Sequence, residues 1–221
     1  MLAKDLISEE IPALRTSDTA VEALNWMEVF RISHLPIVNN EEFLGLISDT
    51  DIYDVSNPDE PIGNHQLSIM RPSVRYDQHI YELMEIASRL KLTVIPVLDY
   101  HNKYLGVVLV TALLHYFAKL SAVEKPGGII VLEITQSDYS MTEIAQIVES
   151  NDAKILSTYV NILPNSTKLE VTLKLNVTDL TAVIQTFNRY EYDIKASFME
   201  FDEQDDLYNE RYDLFMRFLN T

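Results

Sequence analysis

The run Leu35-Pro36-Ile37-Val38, followed by Gly45-Leu46-Ile47-Ser48-Asp49-Thr50-Asp51, returns in altered form sixty residues later as Ile95-Pro96-Val97 with Gly106-Val107-Val108. A recurrence at a fixed offset constrains a fold more than any local propensity. It implies one supersecondary unit used twice, each copy too small to bury its apolar face alone. In the first copy Asp18 or Thr19 can cap a helix whose apolar stripe is Val21, Leu24, Met27 (or its neighbour Trp26) and Phe30. Leu35–Val38 reads as a buried strand, residues 39–42 as a turn, Phe43–Ser48 as the return strand, and Thr50–Val55 as the start of another helix.

The second copy keeps that order. Asp77-Gln78-His79-Ile80 opens a helix with Ile80, Leu83, Met84, Ala87 and Leu90 on one face. Val94–Leu98 and Tyr104–Leu109 read as a hairpin, and Val110–Leu120 as the closing helix. The offset is 59 at the first helix (Asp18 to Asp77), 60 at the proline (Pro36 to Pro96) and 61 at the glycine (Gly45 to Gly106). Two single-residue insertions account for the drift.

After Glu124-Lys125-Pro126-Gly127-Gly128, a linker signal, the pattern changes. Ile129–Thr135 reads as a strand, Met141–Ser150 as a helix, Ala153–Leu163 as a strand closed by Pro164-Asn165-Ser166, and residues 168–177 as a strand with Leu169, Val171, Leu173, Leu175 and Val177 on one face. Thr178 or Asp179 caps a helix carrying Leu180, Val183, Ile184 and Phe187, and Asp193–Phe201 is a last strand. The order is βαββαβ, a ferredoxin-like arrangement. Asp205–Asn220 reads as a terminal helix with an aromatic face. The expected divisions are 1–57, 58–122, a linker at 123–128, 129–203, and a C-terminal helix over 204–221.

The net charge of −17 opposes nucleic acid and anionic membrane surfaces as partners. The absence of cysteine removes disulfides, thiolate metal sites and a Cys nucleophile. No apolar run reaches the roughly 20 residues of a membrane span, and the N-terminus lacks an apolar signal region, so the expectation is a cytoplasmic chain. The five histidines are scattered without metal-ligand spacing, and neither a phosphate-binding glycine loop nor a nucleophile elbow is present. These readings point away from an enzyme and away from a metal site.

On the repeated Leu/Ile-Pro-Ile/Val strand and the glycine strand that follows it, residues 1–121 resemble a tandem pair of CBS domains. With its βαββαβ continuation, the chain is similar to the acetoin-utilisation regulator family, which carries an ACT-type domain after the pair. The expected class is therefore α/β (α+β): a tandem CBS pair, a ferredoxin-like ACT-type domain and a C-terminal helix.

The resemblance implies an adenosyl ligand (AMP, ADP, ATP or an S-adenosyl compound) in the cleft between the copies, with the ribose on Ser48 and Asp51. A carboxylate accepts from both ribose hydroxyls; the same two residues also suit a helix cap. Copy two has Leu109 and Ala112 at these places, so one site is intact. Pro72, Ser73, Leu92 and Pro96 are candidates for the base; core packing is the alternative for Leu92 and Pro96. His34, Arg71 and Arg75 are candidates for phosphate. The loop at residues 136–140 lacks the glycine of amino-acid-binding ACT domains, which favours dimerisation by edge-strand pairing. A regulator signalling through a homodimer to a target protein, and a constitutive scaffold dimer without ligand, are the two readings that follow.

Overall fold

The computed structural model describes residues 1–65, 70–164 and 166–199. The chain divides into two compact units, Met1–Tyr116 and Phe117–Thr221. The expected terminal helix lies outside the described residues.

In the first unit the copies repeat element by element. Copy one runs α1 (Ala20–Phe30), β1 (His34–Asn39), β2 (Glu42–Ser48) and α2 (Asp49–Tyr53). Copy two runs β3 (Val74–Arg75), α3 (Ile80–Leu90), β4 (Val94–Leu98), β5 (Tyr104–Leu109) and α4 (Val110–Leu120). Local chemistry sets the boundaries. Thr19 Oγ1 accepts the Glu22 N–H at 3.2 Å while the Glu22 carboxylate accepts the Thr19 N–H at 2.8 Å, a reciprocal cap that starts α1. His79 and Glu82 do the same for α3. Both helices end on a left-handed residue, Arg31 (φ 53°) and Lys91 (φ 54°), sixty positions apart.

The hairpins share their register as well. Pro36 faces Leu46 and Ile37 faces Gly45; Pro96 faces Val107 and Val97 faces Gly106. In both, the pairing slips one residue after the glycine pair, at Ile37/Val38 and at Val97/Leu98. A short leading strand lies parallel to each proline strand: Leu14 against Ile37, and Val74 against Val97.

The leading segments then cross over. Residues before copy one cover copy two: Ala3 N–H reaches Gln78 O and Lys4 N–H reaches Tyr76 O, both at 2.9 Å, and Ser8 N–H reaches Val107 O at 2.8 Å. The segment before copy two covers copy one, where Met70 O accepts the Leu46 N–H at 2.8 Å. The hairpin tips also meet: Tyr104 N–H donates to Glu41 O, Lys103 pairs with Glu41, and Phe43 stacks on Tyr104 with ring centroids 6.4 Å apart. One continuous core results, with Leu35, Ile47, Leu83, Val94, Ile95, Val107 and Val108 wholly buried.

The second unit contains β6 (Ile129–Thr135), α5 (Met141–Glu149), β7 (Ile155–Ile162), β8 (Lys168–Leu175), α6 (Thr181–Arg189) and β9 (Asp193–Phe198). The sheet order is β7-β8-β6-β9, with every neighbouring pair antiparallel. Alternation in β6 and β8 sends Ile130, Leu132, Val171, Leu173 and Leu175 inward against Ile144, Ile147, Val183 and Phe187 of the helices. The opposite face carries the ion pairs Lys168–Glu133 and Lys195–Glu170.

Two sequence expectations change here. The residue before α6 is Leu180, which has no capping side chain, and Asp179 instead accepts the Thr181 N–H at 2.9 Å. Gly127 and Gly128 are not free linker. A Cβ on Gly127 would stand 2.0 Å from Leu175 O, and Gly128 exchanges backbone bonds with Val177 and Leu175.

Gly106 has φ +141°, and a Cβ there would meet Ile7 Cγ2 at 2.6 Å and Ser8 O at 3.1 Å. Gly106→Ala is therefore expected to strain the backbone and lift the N-terminal segment off β5. The expected loss is about 1–3 kcal/mol, read as a lower urea midpoint for the first unit.

Candidate functional site

The carboxyl end of β2 is where copy one concentrates its polar chemistry. Ser48 is the N-cap of α2: its Oγ accepts the Asp51 N–H at 3.1 Å, and Asp51 Oδ2 accepts the Ser48 N–H at 2.9 Å and the Ser48 hydroxyl at 2.5 Å. Thr50 Oγ1 lies 2.7 Å from Ser48 Oγ. Both bonds to the Asp51 carboxylate use Oδ2, so Oδ1 is the oxygen a ligand hydroxyl can reach. The capping alternative and the binding alternative are thus compatible in one side chain.

Register brings His34 to the same place, because His34 is the partner of Ser48 across the hairpin. His34 is half-buried and bonded to the other copy. Thr93 N–H donates to Nδ1 at 3.4 Å, and Thr93 Oγ1 lies 3.1 Å from the same nitrogen. Thr93 Oγ1 also accepts the Ser33 N–H at 3.0 Å. With the Thr93 N–H directed at it, Nδ1 serves as an acceptor, which leaves Nε2 to carry the hydrogen of the neutral ring. Burial pushes the His34 pKa down, and the carboxylates of Asp49 and Asp51, which pull it up, do not offset that.

Thr93 was not among the residues singled out from sequence. The repeat contains its signal: Thr93 is sixty positions after Ser33 and does the equivalent backbone work. Ser33 O accepts the Asp49 N–H at 3.0 Å, and Thr93 O accepts the Val110 N–H at 3.1 Å.

The other candidates divide. Arg71 and Pro72 follow Met70, which lies against Leu46, so this segment runs beside the strand that ends in Ser48. Arg71 is exposed and Pro72 buried. Ser73 lines a cavity of about 330 Å³ along α3 with Gln78, Tyr81, Glu82 and Glu85; Ser48 and Asp51 are not among its walls. Leu92 belongs to the core, and Pro96 is buried in the middle of β4. Arg75 pairs with Leu98, at the far end of β4 from Thr93, with its guanidinium 5.2 Å from the Tyr100 ring centroid. The structure therefore gathers Ser48, Asp51 and His34, adds Asp49 and Thr93, and leaves Arg75 elsewhere.

Residues 3–57 and 67–119 match the family model of the CBS domain. The chain carries a tandem CBS domain pair. A curated relative, inosine-5'-monophosphate dehydrogenase of Methanocaldococcus jannaschii, is 26% identical over 110 residues, which are 48% of this chain. The chain spans 21% of that relative's length. Among solved structures, a CBS domain pair/ACT domain protein of Thermotoga maritima aligns over 54% of this chain and 98% of its own, at 19% identity and TM-score 0.49. CBSX2, solved in complex with AMP, aligns over 53% of this chain and 96% of its own, at 14% identity and TM-score 0.47.

No helix of the described residues is long and apolar enough to cross a membrane. Among those residues no group of three His, Asp or Glu side chains is placed to hold a metal ion.

A pH dependence follows from His34. Its folded pKa lies below its unfolded value, so the unfolded state takes up the proton first as pH falls. The contribution to stability is present above the unfolded pKa and is lost as pH falls through the folded one. Between about pH 7.5 and about pH 5.5 the first unit is expected to lose thermal stability, and His34→Gln is expected to flatten that slope in melting curves followed across the range.

Proposed function

We propose that the chain is a non-enzymatic cytoplasmic regulator whose CBS pair binds an adenosyl nucleotide at one site and signals through a homodimer. The observation that carries this reading is the Ser48–Asp51 pair at the end of β2, with Oδ1 of Asp51 left for a ribose hydroxyl. Copy two cannot repeat it, because Leu109 and Ala112 hold the equivalent places. Ser48, Asp51, His34 and Thr93 hold the ribose end, and the segment Arg71-Pro72-Ser73 flanks the base. CBS pairs serve as regulatory modules attached to other machinery, so the output belongs to a partner or to the second unit.

We read the second unit as an ACT-type dimerisation domain. Its edge strand β7 exposes Tyr159, Val160 and Ile162, with Ile162 64% accessible, beside backbone groups that have no neighbour in the sheet on that side among the described residues. This edge is also what supports the second reading, a constitutive scaffold dimer that needs no ligand.

The two readings separate on ligand response. A ligand that binds only the folded state raises stability by RT ln(1 + [L]/Kd), about 2.7 kcal/mol at a hundredfold excess over Kd. Thermal unfolding of the full chain with AMP, ADP, ATP, NAD, S-adenosylmethionine and adenosine is expected to shift for at least one of them. Asp51→Asn keeps an acceptor for the Ser48 N–H and removes the charge, and it is expected to abolish the shift without lowering the basal stability by more than about 1 kcal/mol. A flat response across the panel would leave the scaffold reading.

Pairing through β7 is tested separately. Val160→Lys with Ile162→Lys is expected to turn a dimer into a monomer in sedimentation velocity while leaving the circular-dichroism spectrum unchanged.

A further inference from the structure

We propose that the Ser48–Asp51 site selects an adenosyl compound whose 5′ substituent bears no negative charge, and that it rejects a polyphosphate chain. This inference rests on the adenosyl reading above and adds the class of ligand to it.

A phosphate chain requires cations or aimed backbone N–H groups. Of the three cationic candidates, Arg75 is at the wrong end of β4, engaged over Tyr100. His34 is beside the site but is held neutral by geometry. Its Nδ1 receives the Thr93 N–H and faces the Thr93 hydroxyl, so a second proton on the ring would set N–H against N–H. Burial acts in the same direction. Arg71 remains, and it is exposed to water, where a single ion pair is weak.

Against the solvated Arg71 stand two carboxylates. Asp49 and Asp51 lie close enough to His34 to act on its ring electrostatically. A ribose held on Asp51 keeps its 5′ substituent within a sugar's width of both. A triphosphate would bring three to four negative charges into that field, a like-charge penalty that the solvated Arg71 offsets only weakly. A free 5′ hydroxyl meets no such penalty, and a sulfonium or ammonium substituent is attracted. Neutral His34 can donate from Nε2 to an uncharged oxygen, which suits the same ligands.

The test is calorimetric titration of the full chain with adenosine, S-adenosylmethionine, AMP and ATP at one ionic strength. Adenosine or S-adenosylmethionine is expected to bind at least about tenfold more tightly than ATP, with AMP between them. His34→Arg places a fixed cation beside the ribose and is expected to raise the affinity for ATP relative to adenosine by about tenfold; Asp49→Asn is expected to narrow the same gap without altering the fold. If ATP binds the wild-type chain as tightly as adenosine, or neither substitution changes the ratio, the charge inference is wrong and the adenosyl reading stands. If none of the four binds, both are wrong.

Discussion

The exchange of leading segments is the constraint on which the first unit depends. A two-stranded hairpin with a helix on either side leaves one strand edge and one apolar surface uncovered, and a lone hairpin is marginal in water. Ser8 on Val107 and Met70 on Leu46 close those edges reciprocally, each copy being finished by the chain that introduces the other. Gly106 is part of the same device, since the N-terminal segment passes where its side chain would be. Neither copy is complete without its neighbour's leader, so the natural unit of stability is the pair.

That interlock also positions the site. The N–H of Leu46 is tied to Met70 two residues before β2 delivers Ser48, so the polar end of copy one and the leader of copy two are fixed with respect to each other. Thr93 completes the arrangement from the opposite copy, giving Ser33 an acceptor in its hydroxyl and His34 a donor in its backbone N–H. A ligand on Ser48 and Asp51 would therefore touch a group held in place by both copies. Such a contact can couple occupancy to their relative positions, provided the ligand's affinity differs between two arrangements.

Much of this was legible in the residues. Periodicity and the proline and glycine offsets revealed the repeat, its hairpins and the βαββαβ order, because each of those elements announces itself within ten or so residues. The crossed leaders did not, since Ser8 with Val107 and Leu46 with Met70 are pairings between segments that have no local signature. Arg75 was misplaced for a related reason: its residue type suits phosphate, but its register against Leu98 sends it to the tip of the hairpin. Thr93 was hidden because threonine before a strand is unremarkable until it is aligned with Ser33. The caps divide similarly. Thr19 with Glu22 is a local signal and formed, whereas the start of α6 fell one residue beyond Asp179, on Leu180.

The difference between the copies at the polar end has a structural logic of its own. Helix α2 has five residues and α4 has eleven. A five-residue helix has almost no cooperative stability and depends on its ends, so copy one keeps Ser48 and Asp51 as a reciprocal cap. Helix α4 is long enough to be stabilised along its length, with Leu113 buried against the core, and it begins after Leu109, a residue with nothing to cap. Selection for folding alone would thus retain the serine and aspartate in the first copy and release them in the second. The polar pair has a reason to persist before any ligand is considered. What a cap does not require is the surrounding set: a histidine held neutral across the strand by the other copy, and a carboxylate with one oxygen committed and one open. Those features turn the end of a short helix into a place where a sugar could be held.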